Sequence, residues 1–290
     1  MLYIQQPNKK PKDSPFEKQV SKLKNTKFTQ EQFQKARSSS KISKIEKYFL
    51  RIGICLNNQS VKSLSNGSYD KVCFIISNTY INEKLNLGIG PLNDGYMVGL
   101  HFYKLGYKIF YVINPLQREC EKFLKFFVKN AGSQLVIYFT GRIGKIRQKD
   151  NMQDLHQTAM LFDDGHLFDD EVISLLTQNK SESEKKIVLI SDSPHCEPIS
   201  CFKTLSKSTL EELPNTIVLS PHRNSPSIDE KIALKRHGLF SFYLCKYLKQ
   251  DPSISLKNLE LKINSELNRF DETVQCEVQH PNIIDCPLFG

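Results

Sequence analysis

Two short stretches of this 290-residue sequence have spacings that could carry chemistry. The first contains Gly88, Gly90 and Gly95, and its glycine content is superficially similar to that of a phosphate-binding loop. A dinucleotide-binding loop needs its first glycine at the end of a strand and its third glycine three residues after the second, where this chain has Asn93. No G-K-[ST] phosphate loop exists anywhere in the sequence. We therefore predict that the protein uses no cofactor.

The second stretch, His195-Cys196-Glu197, places an imidazole beside a thiol. A histidine two residues before a glutamate is half of the zinc deaminase motif, but the P-C-x-x-C half that supplies thiolate ligands is absent downstream. A zinc site formed by His195, Cys196 and Cys201 would have three nearly consecutive ligands and no distant fourth. We interpret these side chains as loop residues rather than metal ligands.

Hydrophobic patterning predicts the elements that position such residues. From Asp70 onward, short apolar runs typical of buried parallel strands alternate with helical stretches. The predicted strands are 71–77, 108–113, 134–140, 186–191 and 215–220, and the predicted helices are 92–105, 117–130, 169–178, 239–249 and 256–270. This order predicts a three-layer α/β/α sandwich around a mainly parallel sheet of about six strands. Residues 140–144 and 192–196 should then meet at the carboxyl ends of neighbouring strands.

The order of these elements, with the residues at their ends, resembles the caspase and metacaspase family of cysteine peptidases. The segments 71–77 (KVCFIIS) and 104–110 (KLGYKIF) are similar to the start of that peptidase domain. The segment 136–144 (VIYFTGRIG) looks like the family's Y-S-G-H-G-G segment, 165–172 (GHLFDDEV) like the metacaspase stretch ending in D-D-E, and 186–196 (KIVLISDSPHC) like the strand ending in D-S-C-H-S-G. The resemblance keeps the family's order over about residues 70–288 and implies a caspase-like fold.

The same resemblance implies that both catalytic positions are substituted. In these peptidases a cysteine thiolate attacks the scissile carbonyl while a histidine transfers protons. Arg142 stands at the histidine position and Pro194 at the cysteine position. Proline has no nucleophile, and arginine stays protonated at physiological pH. Rescue would require Cys196 to act from two residues further along, against strict attack geometry, with His166, His195 or His222.

Other family positions are retained. Members that cleave after basic residues read that side chain with acidic groups at positions matching Asp94 and Asp192 and with a hydroxyl matching Thr140. A structural interpretation stands beside this one: Asp94 caps the helix that it begins, and Asp192 accepts backbone hydrogen bonds at its strand end. In a third interpretation Arg142 projects into the vacated cleft, and we predict that its guanidinium pairs there with Asp192 or Asp94.

Asp169 and Asp170 match an acidic pair that is associated with calcium in some metacaspases. Calcium needs several oxygen ligands, and Cys201 falls near the place where a further aspartate would be expected. Carboxylates at a helix N-terminus explain the pair more simply. We therefore predict no metal site, with Asp169 and Asp170 as the weak calcium candidates.

The formal net charge of +9 is concentrated at the N-terminus, because the first 51 residues hold thirteen Lys and Arg against four Asp and Glu. Residues 52–290 are neutral overall. Three early prolines and few apolar residues leave the first part too poor in buried surface to fold alone. We predict a basic, extended arm over 1–56 with weak helices at 29–36 and 42–50, a linker over 57–69 and a caspase-like domain over 70–290.

These features predict a catalytically inactive caspase-like protein, a pseudopeptidase that acts as a scaffold or regulatory binding module. The arm would anchor it to a protein with an acidic surface, such as a cytoskeletal assembly, through Lys9, Lys10, Lys12, Lys18, Lys22, Lys24 and Lys27. Nucleic acid would bind the arm without base specificity, because the arm lacks aromatic interleaving. The alternative is an active cysteine endopeptidase with rearranged catalytic residues and a preference for basic residues before the cut.

The cysteines and the hydropathy bear on location. No run approaches the eighteen apolar residues of a membrane helix, so we expect no membrane association. The eight cysteines show no C-x-x-C spacing, which favours reduced thiols over a disulfide framework. We therefore predict an intracellular, cytoplasmic protein, with a cytoskeletal location as one form of it.

Overall fold

The structure is a computed structural model that describes residues 32, 39–64, 67, 69–147, 156–177, 185–193, 213, 215–223, 230–232, 235–270, 272–279 and 281–289. Its strands are β1 (Gly53–Cys55), β2 (Tyr69–Ser77), β3 (Lys108–Ile113), β4 (Ala131–Thr140), β5 (Ile143–Arg147), β6 (His156–Leu161), β7 (His166–Phe168), β8 (Lys186–Asp192), β9 (Asn215–Arg223), β10 (Glu230–Ile232), β11 (Lys235–His237) and β12 (Glu272–Val278). Its helices are α1 (Ser40–Phe49), α2 (Gly90–Lys104), α3 (Gln117–Asn130), α4 (Asp169–Thr177), α5 (Leu239–Gln250) and α6 (Leu256–Leu267).

Among the described residues, seven strands form the central sheet in the order β1-β3-β2-β4-β8-β9-β12. The first six run parallel, and β12 pairs antiparallel with β9 at one edge. Two small antiparallel sheets, β5-β6-β7 and β10-β11, lie outside it. The predicted mainly parallel α/β sandwich is confirmed, with an additional antiparallel strand at the edge.

Helices cover both faces of the sheet because its strands are apolar on both sides. Along β2, Phe74 and Ile76 face one core cluster, which α3 and α4 cover. Cys73 and Ile75 face the other, which α1, α2, α5 and α6 cover. We call these coverings the two-helix layer (α3, α4) and the four-helix layer (α1, α2, α5, α6).

The predicted helix at 42–50 is confirmed as α1, which begins after Ser39. The Ser39 hydroxyl caps this helix by accepting a hydrogen bond from the backbone N–H of Ile42 at 3.4 Å. At its end Phe49 is fully buried and stacks on Tyr111 of β3, with ring centroids 4.5 Å apart. The chain from Ser40 therefore packs on the sheet, whereas the predicted helix at 29–36 lies outside the described residues except for Gln32.

Side chains of α6 bond to the outer edge of β12. The Asn264 amide accepts a hydrogen bond from the backbone N–H of Val274 at 2.6 Å and donates one to the Val274 carbonyl at 3.2 Å. Glu260 accepts a third bond from the backbone N–H of Cys276 at 3.4 Å. Backbone groups that no further strand pairs are thus satisfied by the neighbouring helix.

Candidate functional site at the carboxyl edge of the sheet

Three polar residues end neighbouring strands in one row. Ser77 pairs with Thr140, and Thr140 pairs with Asp192, as the last residues of β2, β4 and β8. All three are buried, and strand alternation points them toward the four-helix layer. The prediction that residues 140–144 and 192–196 meet at the carboxyl ends of neighbouring strands is confirmed for the described part of the second segment, residues 192–193.

The chain leaving β4 also bonds to the chain leaving β8. The backbone N–H of Gly141 donates to the carbonyl of Asp192 at 3.2 Å, and that of Ile143 donates to the hydroxyl of Ser193 at 2.9 Å. The positions that follow Ser193, namely Pro194, His195 and Cys196, lie outside the described residues.

Asp94 joins this edge from α2. Both carboxylate oxygens of Asp94 accept a hydrogen bond from the backbone N–H of Gly238, each at 3.0 Å. The helix begins at Gly90, earlier than the predicted start, and its first residues receive no side-chain cap. The prediction that Asp94 caps its helix is therefore wrong, because the carboxylate faces the start of α5 instead.

Asp192 is held by a residue of α5 as well. Its carboxylate accepts a hydrogen bond from the Ser241 hydroxyl, and that hydroxyl lies 2.6 Å from the Tyr138 hydroxyl of β4. Burial, with the nearby charges of Asp94 and Glu272 adding to it, raises the pKa of Asp192 to about 8, although the Ser241 bonds oppose the shift. Burial therefore favours the protonated form of Asp192.

Gly238 brings the two acidic groups together. A Cβ atom at this position would lie 2.5 Å from a carboxylate oxygen of Asp192, while the Gly238 N–H bonds Asp94. Only a residue without a side chain allows this approach. The structure thus assembles Asp94, Thr140 and Asp192, the three predicted pocket residues, at one place.

Arg142 is directed to a different partner from the one predicted. Its Nε–H donates to the carbonyl of Leu85 at 2.8 Å, and its backbone N–H donates to the Tyr80 hydroxyl. None of the ion pairs among the described residues joins Arg142 to Asp94 or Asp192. The predicted carboxylate pairing is therefore wrong: the start of β5 and Tyr80 fix the Arg142 backbone beside the loop that follows β2. Burial lowers the pKa of Arg142.

That loop, residues 78–89, packs on the small β5-β6-β7 sheet. Tyr80 and Leu85 form a minor core with Ile146 and Leu161, and the Tyr80 hydroxyl donates to the Leu161 carbonyl at 3.0 Å. The Asp163 carboxylate accepts backbone bonds from residues 81 and 82 at 3.0 to 3.1 Å. The loop is therefore anchored at several points, of which Arg142 is one.

The acidic pair Asp169 and Asp170 begins α4. Asp169 accepts a hydrogen bond from the Asp170 N–H at 3.0 Å, and Asp170 accepts one from the Glu171 N–H at 2.7 Å. These bonds satisfy free N–H groups at a helix start. Within the described part of the chain, no group of three or more His, Cys, Asp or Glu side chains could hold a metal ion.

Comparison with known proteins gives a likeness in structure without one in sequence. No protein-family profile and no curated protein sequence matches the chain. The protein GSU0716 from Geobacter sulfurreducens is similar with a TM-score of 0.60 and 14% identity, over 76% of this chain and 98% of that one. Caspase-1 from Spodoptera frugiperda is similar with a TM-score of 0.52 and 13% identity, over 73% of this chain and 88% of that one. The chain has a caspase-like fold.

Within this caspase-like fold, the residues that hold the acids and the arginine were not predictable from the sequence pattern. Gly238, Ser241 and Tyr138 surround Asp94 and Asp192, and Tyr80 and Leu85 hold Arg142. The only local sign was Gly238, a glycine directly before a predicted helix.

No helix in the described residues is both long and apolar enough to cross a membrane.

Proposed function

We propose that this chain is a catalytically inactive caspase-like protein, a pseudopeptidase that serves as a scaffold or regulatory binding module. The observation that carries the proposal is the hydrogen bonding of Arg142, the residue that occupies the family's histidine position in the sequence resemblance. Its guanidinium is bonded to the Leu85 carbonyl of its own domain. A group that stays protonated and has no free lone pair cannot take a proton from a thiol.

The position of the nucleophile supports the same proposal. Pro194 occupies it in the sequence resemblance, and proline offers no atom for attack on a carbonyl. The chain is tied to β5 one residue earlier, through the Ser193 hydroxyl and the Ile143 N–H at 2.9 Å. This tie fixes Ser193, the residue directly before Pro194 in the sequence.

The retained acids support a binding module over an enzyme that selects basic residues. Asp94 already accepts bonds from Gly238, and Asp192 accepts one from Ser241. Burial beside Asp94 raises the pKa of Asp192, which weakens its attraction for a lysine or arginine side chain near neutral pH. These contacts give both acids structural roles in the absence of any peptide.

The experiment that tests inactivity uses the purified full-length protein with peptides carrying Arg, Lys or Asp before the reporter, and with a thiol-reactive peptide warhead. We expect no cleavage, and we expect labelling at the same slow rate in the wild type, in Cys196→Ala and in Cys286→Ala. Cys286 is an exposed thiol and serves as the matched control. Cleavage lost in Cys196→Ala and kept in Cys286→Ala would establish the alternative, an active endopeptidase with rearranged residues.

The anchoring part of the proposal concerns the basic arm. The first 51 residues carry the whole net charge of +9, so an acidic protein surface is the complementary partner. Assembled tubulin is a suitable acidic probe. We expect co-sedimentation of the full-length protein to fall steeply with salt, because screening acts beyond roughly 8 Å at physiological ionic strength. Changing Lys9, Lys10, Lys12, Lys18, Lys22, Lys24 and Lys27 to Gln should abolish it at low salt, and undiminished sedimentation of that variant would refute the arm's role.

A further inference from the structure

Within the part of the chain that the structure describes, large apolar side chains are exposed on one layer only. Among the described residues, the large apolar side chains that stand out to solvent are Tyr48 (41% exposed), Leu50 (59%), Tyr103 (50%) and Leu261 (61%). Tyr48 and Leu50 belong to α1 and the turn after it, Tyr103 to α2 and Leu261 to α6. All four therefore lie on the four-helix layer, whereas single exposed apolar residues are normally scattered over a surface.

The exposed charged residues of the four helices in this layer have one sign, and the exposed acid Asp285, which follows them in the chain, pairs with Lys257 at 3.8 Å. The helices α1, α2, α5 and α6 are described throughout, and their exposed charged residues are Lys41, Lys44, Lys47, Lys104, Lys249, Lys257 and Lys262. Their four acidic residues are buried or half-buried. Asp94, for example, bonds Gly238, and Glu266 pairs with Lys246 at 3.2 Å. On the two-helix layer, by contrast, exposed Asp170 and Glu171 accompany the exposed cations.

Apolar and cationic side chains alternate closely on this layer. Each exposed apolar residue has an exposed cation as its chain neighbour, in the pairs Lys47-Tyr48, Leu50-Arg51, Tyr103-Lys104 and Leu261-Lys262. Several tyrosines are held by contacts: the Tyr48 and Tyr96 rings are 5.7 Å apart, and Lys246 lies 5.1 Å from the ring of Tyr247. Side chains already held in place lose little conformational entropy when a partner binds.

We propose that the four-helix layer is a docking surface for an acidic protein whose interface carries apolar side chains among its carboxylates. Protein interfaces combine aromatic residues with complementary charge in this way. The lysine-rich first 39 residues precede α1 in the chain, so the same partner can engage both them and the layer. This inference rests on the proposed scaffold role but uses no peptidase measurement, so its failure would leave the proposed inactivity untouched.

The two other polyanions fit less well. Nucleic acid would engage the lysines through phosphate but would give exposed Leu50 and Leu261 no contact role. A bilayer takes up a continuous apolar face of one helix, whereas the exposed apolar side chains here are spread over α1, the turn after it, α2 and α6. A protein surface can match both kinds of side chain at once.

The test measures binding of the full-length protein to a random glutamate–tyrosine copolymer and to poly-glutamate at equal carboxylate concentration. We expect the copolymer to bind about tenfold more tightly, which corresponds to about 1.4 kcal/mol. The double substitution Tyr103→Ser and Leu261→Ser should remove this preference. Lys104→Glu with Lys262→Glu should weaken binding of both polymers at least tenfold.

The matched control reverses two exposed lysines of α3 in the two-helix layer, Lys122→Glu with Lys125→Glu, which changes the net charge equally. This control variant should bind both polymers nearly as well as the wild type. Equal binding of the two polymers, equal loss in both charge-reversed variants, or absence of binding would overturn the proposal. Tighter binding to a short DNA duplex or to phosphatidylserine vesicles would overturn it in favour of that other class of partner.

Discussion

Burial beside another acid raises the pKa of the Asp192 carboxyl group, so folding favours its protonated form. Its pKa of about 8 lies well above the value of about 4 that an aspartate has in the unfolded chain. Between these two pH values the folded state binds more protons than the unfolded state, so the free energy of unfolding falls as pH rises. This contribution is fully present below about pH 4 and is lost by about pH 8.

Asp192→Asn should flatten that fall, because the amide imitates the protonated acid and still accepts from Ser241. We expect the variant to lose a slope of at most about 1.4 kcal/mol per pH unit between pH 5 and pH 8. Urea unfolding over this pH range measures it. Asp170→Asn, at an exposed position, should keep the wild-type slope, and an unchanged slope in Asp192→Asn would contradict the assignment.

We interpret Arg142 as a residue that holds the loop of residues 78–89 in place through its bond to Leu85. Removing its side chain in Arg142→Ala leaves the Leu85 carbonyl without this donor, so we expect a loss of roughly 1–3 kcal/mol in the free energy of unfolding. The loop should also exchange its amide protons faster, which hydrogen exchange measures directly. Arg142→Lys keeps the charge and serves as the comparison; full stability in Arg142→Ala would show that the bond is dispensable.

At the scale of elements, the junction between β11 and α5 depends on Gly238. Gly238→Ala would place a methyl group 2.5 Å from the Asp192 carboxylate, so we expect a loss of about 1–3 kcal/mol from overpacking. Gly90→Ala is the matched control, because a Cβ atom there meets nothing within 4 Å. Thermal unfolding compares the two variants, and similar melting temperatures would show that the acids and α5 can move apart freely.

Most elements with continuous burial could be predicted from the sequence. The bounds Lys108–Ile113 and Gln117–Asn130 match the predicted strand and helix, because apolar residues fill the buried positions of both. Two of the missed strands lack such a pattern: β1 has three residues, and β12 (ETVQCEV) mixes polar and apolar residues. Their pairing is decided by neighbours distant in sequence, which local pattern does not reveal.

The site was predictable in position but not in its bonds. Strand order brought Thr140 and Asp192 together, as parallel topology requires. The partner of Arg142 is a backbone carbonyl 57 residues away in the chain. Every residue type has such a carbonyl, so the sequence does not indicate which one Arg142 binds. The sequence likewise does not indicate that the backbone N–H of Gly238, and not the Arg142 guanidinium, bonds to Asp94.

At the scale of the whole molecule, the two layers divide the surface into regions of different character. The four-helix layer presents lysines and exposed apolar side chains, while the two-helix layer presents charges of both signs. The neutral sum over residues 52–290 conceals this division. Net charge by itself therefore could not identify the layer as a candidate docking surface; the fold was needed to sort the residues by side.

The helix that borders the last strand also governs how copies of the protein behave in concentrated solution. An open strand edge is a template onto which further chains can add and grow into aggregates, and the Asn264 amide occupies that template at Val274 by imitating a peptide group. Asn264→Leu should therefore yield a folded protein that becomes turbid and thioflavin-positive as its concentration rises. Asn258→Leu adds the same apolar group elsewhere on α6, and its solution should stay clear. Equal turbidity of the two variants would show that any added apolar side chain on α6 causes aggregation.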